Sequence, residues 1–237
     1  IIISSSGNYI EYQLLKFCKL KFIKTVGIID YFVNYKYRFT FKDKVFFPDK
    51  ILTFNKITYR EMINENIPKE KILVCGHPGF EKILKQKFEK NIKFKYAIII
   101  QPIKKKIKKE IRDLLLKFHK FINYIKKSKS INNYIILDHP DNMTKKKNNY
   151  PEESRIYIGA YSSLMFENYL KNRLVLSFRD KKIINDPCPL TRWKLISSFN
   201  DIKYLNKKFI SRRNLNNIKK SIYGSKKRFY AIIKNIK

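Results

Sequence analysis

Short apolar runs alternate with longer segments of helical period along this whole chain, and that alternation restricts its fold more than any other feature. The run at residues 1–3 passes through Ser4, Ser5, Ser6 and Gly7 into residues 8–20, where Ile10, Leu14, Leu15 and Cys18 keep helical spacing. β-like runs follow at 25–29, 50–54 and 71–75, with an aromatic and basic stretch at 31–47 and a helical segment at 56–66 between them. Strand followed by helix, repeated, is the pattern of a parallel α/β sheet.

The pattern then restarts. Residues 80–94 read as a polar helix, 96–100 as the most apolar strand, and 104–127 as a long helix with Ile111, Leu114, Leu115, Phe118 and Ile122 on one stripe. Strands are expected at 134–137, 155–158, 174–178 and near 195–198, with helices at 162–170, 215–222 and 228–236. Two βα series separated by a polar segment predict two sheets and a junction between residues 80 and 95. The Lys-rich face of 104–127 fits a membrane-surface helix. Its place directly after an apolar strand fits the crossover that covers a parallel sheet, and this is the favoured reading.

The chain has 237 residues and a formal net charge of +34, from 53 Lys and Arg against 19 Asp and Glu. Such a charge invites a nucleic-acid or anionic-membrane partner. Composition supplies a plainer cause: Lys, Ile, Asn, Tyr and Phe are abundant, Gly and Ala are scarce, and Lys far outnumbers Arg, as an AT-rich coding sequence produces. A hydrophobic content of 44% excludes a disordered basic tail. Cys18, Cys75 and Cys188 have no metal-binding spacing and read as reduced thiols in a cytoplasmic protein. No apolar run approaches the roughly 20 residues that span a bilayer. The first residues carry neither Met nor a signal-peptide pattern, so a fragment is expected.

Scarce glycine makes its positions informative. Gly7, Gly76, Gly79 and Gly159 each follow the carboxyl end of an expected strand, where open α/β sheets bind ligands. The sharpest case is 158–164, Ile-Gly-Ala-Tyr-Ser-Ser-Leu, in which Ser162 and Ser163 open a helix and offer hydroxyls and amides to an anion. His139 and Pro140 follow the strand at 134–137, and His77 and Pro78 have the same strand-end placement. A histidine there can donate to a phosphate or protonate a leaving group. Asp30, directly after the strand at 25–29, is a candidate general base, or a turn cap paired with Arg38. His119 reads as structural, and no protein metal site is indicated.

The runs at 27–39, 47–55 and 59–83, with Ile-Ile-Leu-Asp-His-Pro-Asp-Asn at 135–142 and residues 156–178, resemble the GT-B-fold glycosyltransferases of bacterial surface polysaccharides, of the sialyltransferase type and their glycerophosphotransferase relatives. The resemblance implies two Rossmann-like domains with parallel sheets, the first incomplete: residues 1–90 on the acceptor side and 91–237 binding a nucleotide sugar. It implies that the His139-Pro140 and Ser162-Ser163 motifs, with Gly159, hold the nucleotide phosphate, that His139 and Asp30 are catalytic, and that Ser5, Ser6, Gly7 and His77 line the cleft. The implied reaction moves a sugar from a nucleotide donor, with no other cofactor, to a glycan or lipid-linked acceptor in the cytoplasm. The Lys face of 104–127 and the basic exterior, read from the residues, suit peripheral contact with an anionic membrane. The alternatives are a nucleotide-sugar epimerase, an inactive truncated domain, or a basic module for nucleic acid or anionic membrane.

Overall fold

Strands and helices alternate as the periodicities require, and the strands collect into two parallel sheets in separate units. The computed structural model describes residues 1–4, 8–29, 32–86, 92–103, 108–128, 132–138, 154–180, 183, 186–201 and 215–236. One unit takes in Ile1–Leu84 with Asn216–Lys237, the other Lys85–Leu215.

In the first unit, β1 (Ile2–Ser4) and β2 (Val26–Ile28) are followed by the hairpin β3 (Thr40–Phe41) and β4 (Lys44–Val45), then by β5 (Lys50–Thr53) and β6 (Ile72–Val74). The sheet order is β1-β2-β5-β6, all parallel. The helices α1 (Tyr9–Leu20), α2 (Lys56–Asn64) and α3 (Pro78–Lys85) follow β1, β5 and β6. Side chains set where they start. The Asn8 carboxamide accepts from the Glu11 amide at 2.9 Å, and that of Asn55 accepts from Ile57 and Thr58, both at 2.9 Å. The Thr58 hydroxyl accepts from the Asn55 amide in return, completing a capping box.

In the second unit the order along the chain is β7 (Phe94–Ile99), α4 (Lys109–Ser128), β8 (Tyr134–Leu137), β9 (Ser154–Gly159), α5 (Ser163–Leu170), β10 (Leu174–Phe178), α6 (Pro189–Arg192) and β11 (Ser197–Phe199). The parallel sheet runs β11-β10-β9-β7-β8. Tyr96, Ile98, Ile158, Leu176 and Phe178 pack against Leu114, Leu115, Phe118 and Ile122 of α4, and the Phe118 and Phe178 ring centres are 5.3 Å apart. The apolar stripe of α4 is therefore the cover of the sheet. Among the described residues of the segment read as helix through residue 94, the helix covers Pro78–Lys85, and Phe94 already pairs with Ser154 in the sheet. The short strand expected near 195–198 starts at Ser197, because the Leu195 amide closes α6 by donating to the Leu190 carbonyl at 2.8 Å.

The last helices, α7 (Leu215–Ile222) and α8 (Ser225–Asn235), fall with the first unit, although the sequence reading assigned 91–237 to one domain. Phe229, Ile232, Ile233 and Ile236 pack on Val26, Leu52 and Cys75. Arg228 donates to the carbonyls of Cys75, Tyr223 and Ser221 at 3.0, 2.8 and 2.7 Å. Buried Glu81 accepts from the Ser225 hydroxyl at 3.0 Å and the Lys226 amide at 2.8 Å, placing a carboxylate at the positive end of α8. Burial pushes the Cys75 thiol up to about 11 despite nearby Arg228, so it stays protonated at neutral pH.

Gly76 makes this approach possible. It has φ +87°, and a side-chain carbon there would lie 2.6 Å from the Ser221 carbonyl oxygen. The close neighbour at this strand end is thus the chain's own helix pair. Gly76→Ala is expected to destabilise the fold by about 2–5 kcal/mol through strain and overlap, measured by chemical denaturation.

Candidate functional site

Strand order locates the site. From β7 the chain passes through α4 to β8 on one side, whereas from β9 it passes through α5 to β10 on the other. Connections that leave neighbouring strands in opposite directions open a crevice at their carboxyl ends, where open α/β sheets take their ligands. The turn from Gly159 to Ser163 stands at that crevice.

Gly159 lets the Met165 side chain come close to the strand end. A side-chain carbon would lie 2.8 Å from the sulfur of buried Met165, so glycine lets α5 close onto the strand end. The Ser162 hydroxyl caps α5 by accepting from the Leu164 amide at 3.2 Å. Among the described residues nothing accepts from the Tyr161, Ser162 or Ser163 amides, and the Ser163 side chain is exposed. The result is a row of donors at the positive end of a helix, suited to an anion.

A buried charge holds the turn. The Ala160 carbonyl accepts from Arg179 Nη1 at 2.6 Å and from the Ser177 hydroxyl at 2.9 Å. Because the peptide is planar and trans, fixing this carbonyl turns the Tyr161 N–H the opposite way. Arg179 also donates to the Phe178 carbonyl at 2.6 Å and to both Asp186 oxygens, from Nη2 at 2.6 Å and Nε at 3.2 Å. Asp186 accepts in addition from the Thr191 hydroxyl and, at 2.8 Å, from the Cys188 amide. Every strong direction of the guanidinium is occupied, so Arg179 is a positioning residue.

Two further groups beside the turn have altered acidity. Burial raises the Glu167 carboxyl above its ordinary value, with Lys171 opposing it; the residue lies four positions after Ser163, on the same face of α5. Burial likewise raises the Tyr161 hydroxyl, against the pull of Arg179. Neither Glu167 nor Arg179 was singled out from sequence. The i, i+4 spacing from Ser163 is a signal for the first, and a charge directly after the apolar run at 174–178 is a signal for the second.

Of the sequence candidates, Gly159, Ser162 and Ser163 come together in this turn. Asp30, His139, Pro140, Ser5, Ser6 and Gly7 lie outside the described residues. The β8 end that leads to His139 is on the same sheet edge as the β9 end, two strand spacings away, about 10 Å. His77 belongs to the first unit, where its Nδ1 accepts from the Phe80 amide at 3.1 Å and its ring stacks on Phe80, so it starts α3. His119 lies with Nε2 3.2 Å from the Gln101 carbonyl, as a structural histidine does. Among the described residues no three His, Cys, Asp or Glu gather to hold a metal ion, and no helix is long and apolar enough to cross a membrane.

Solved structures share this fold. A UDP-GlcNAc 2-epimerase from Methanocaldococcus jannaschii, in complex with UDP-GlcNAc and UDP, aligns over 92% of this chain and 74% of its own, with TM-score 0.53 and 14% identity. The enzyme from Rickettsia bellii aligns over 99% and 73%, with TM-score 0.56 and 14% identity. That from Neisseria meningitidis, bound to UDP-GlcNAc, aligns over 99% and 76%, with TM-score 0.52 and 12% identity. The fold is GT-B-like. No family model matches the chain, and no curated protein sequence does. At such identity the likeness is one of fold, and it supports the GT-B part of the sequence resemblance without its sialyltransferase-type assignment or motifs.

Removing Asp186 leaves a guanidinium buried without its counter-ion. Asp186→Ala is expected to destabilise the protein by about 3–5 kcal/mol, read from denaturant melts.

Proposed function

We propose that the second unit binds a nucleotide sugar in the crevice between β7 and β9, and that the chain acts on the sugar as an epimerase of the UDP-GlcNAc 2-epimerase kind. The observation that carries the binding site is the turn at 159–163, whose unpartnered amides and serine hydroxyls stand at the topological switch point with the Ala160 peptide locked by Arg179. Breaking the bond between sugar and diphosphate leaves negative charge on the diphosphate, and donors already fixed in place stabilise it without reorganising. The likeness to UDP-GlcNAc 2-epimerases favours epimerisation over transfer. Transfer to a cell-surface glycan would use the same donor site.

Calorimetry with UDP-GlcNAc and proton NMR of the sugar test this. Binding and slow inversion at C2 are expected. The double variant Ser162→Ala, Ser163→Ala is expected to bind about thirtyfold more weakly, since each of the two hydroxyls lost to a charged ligand removes on the order of 1 kcal/mol. Absence of binding ends the proposal, and sugar transfer to an acceptor without inversion replaces the epimerase with a transferase.

Glu167, one turn beyond Ser163 on the same face of α5, is proposed to accept from a hydroxyl of the ligand, more strongly when ionised. Affinity is expected to rise with pH through the raised pKa, and Glu167→Gln to flatten that step. Because the folded pKa exceeds the unfolded one of about 4.3, wild-type stability falls as pH rises through this window, and the Gln variant loses that decline.

A further inference from the structure

We infer that the outer face of α1 and the turn after it form a docking surface for an anionic lipid bilayer. The helix is apolar on two faces. Leu15 and Cys18 are buried in the first unit, while Ile10, Phe17 and Leu20, at spacings of seven and three, lie on the opposite side with 75%, 51% and 68% of their surface exposed. A solvated helix has no use for a second apolar stripe.

Phe22 adds an independent observation. The α1 terminus is a Schellman turn: the Ile23 amide donates to the Cys18 carbonyl at 2.8 Å and the Phe22 amide to the Lys19 carbonyl at 3.3 Å. Phe22 holds the left-handed position of that turn, φ +55°, where glycine is the least strained residue, and its side chain is 93% exposed. Neither backbone preference nor packing within the chain accounts for a phenylalanine there.

Charge selects the partner. Lys16, Lys19, Lys21 and Lys24 are exposed around the apolar residues, and residues 12–24 contain no acid. Beneath the turn is a cavity of about 560 Å³, bordered by Lys19, Phe22, Lys24, Phe46 and Lys71. Among the described lining residues the one carboxylate, Asp49, accepts from the Thr25 amide at 2.8 Å and hydroxyl at 2.9 Å and draws Lys24 and Lys71, of which Lys71 also donates to the Pro48 carbonyl at 3.1 Å. A single acid thus faces three lysines, and the cavity keeps an excess of positive charge. Apolar side chains inserted among acyl chains, with flanking lysines at the headgroups, are the mark of an interfacial helix.

Co-sedimentation of the full chain with vesicles tests this. Binding is expected to phosphatidylcholine containing a quarter phosphatidylglycerol, to weaken at high salt, and to be absent for phosphatidylcholine alone. The +34 charge by itself attracts anionic vesicles, so the deciding variants keep it: Phe22→Gly, and Phe17→Ser with Leu20→Ser. Each is expected to bind at least about tenfold more weakly, the effect of withdrawing one large apolar side chain from lipid. Phe22→Gly must do so without lowering the melting temperature, because glycine suits that turn. Undiminished binding by both variants overturns the proposal. So does a wild-type dimer in ultracentrifugation that these substitutions convert to monomer, since a second copy then covers the face.

Discussion

A single buried guanidinium, that of Arg179, organises the carboxyl ends of β9 and β10. Arg179 sits at the end of β10 and bonds to the carbonyls of Ala160 and Phe178 while Asp186 neutralises it from the other side. Without the carboxylate the buried cation would be uncompensated, and without the cation the Ala160 carbonyl would keep the Ser177 hydroxyl but lose its charged donor. The pair therefore joins the β9 turn, the β10 end and the loop before α6 into one rigid piece. The donors of the turn at 159–163 owe their fixed aim to that piece, and preorganised donors are what the proposed anion site requires.

The charge imbalance changes meaning once the contacts are seen. With 19 acids against 53 basic residues, most lysines have no partner to find, and the scarce carboxylates take structural posts instead. Glu81 holds the start of α8, Asp49 ties Thr25 beside β2, Glu61 accepts from Tyr35, and Asp186 anchors Arg179. The first three join residues distant in sequence, and Asp186 closes a local loop onto a residue seven positions before it. Excess positive charge can vary with codon usage at little cost, since exposed lysines contribute little to stability, whereas losing one of these acids removes a tertiary connection.

Much of the architecture was legible because it rests on local period. Val26, Leu52, Tyr96, Ile158 and Leu176 lie in apolar runs that a sheet covered on both faces demands, and the Leu114, Leu115, Phe118 and Ile122 stripe could be read as the inner face of a helix. The Ser162 cap was legible for the same reason, since it involves neighbours two residues apart. Gly76 was misjudged: its place after a strand suggested room for a ligand, but α7 and α8 occupy that space. Nothing local announces an approach from residues 221 and 225. The allocation of those helices to the second half failed for the same reason, because a helix does not reveal which sheet it covers.

By itself, then, the sequence determined the alternation of strands and helices, the parallel sense that short crossovers impose, and the serine-capped turn after β9. Only the tertiary structure decided that β8 and β9 flank β7 on opposite sides, which turns that one strand end into a crevice. It alone showed Arg179 and Ser177 converging on the Ala160 carbonyl, and Phe22 strained and uncovered at the end of α1. The physical reason is range. Backbone preference and amphipathic period act over a few residues and are written in them, whereas strand order and buried hydrogen bonds depend on which distant segments can satisfy one another.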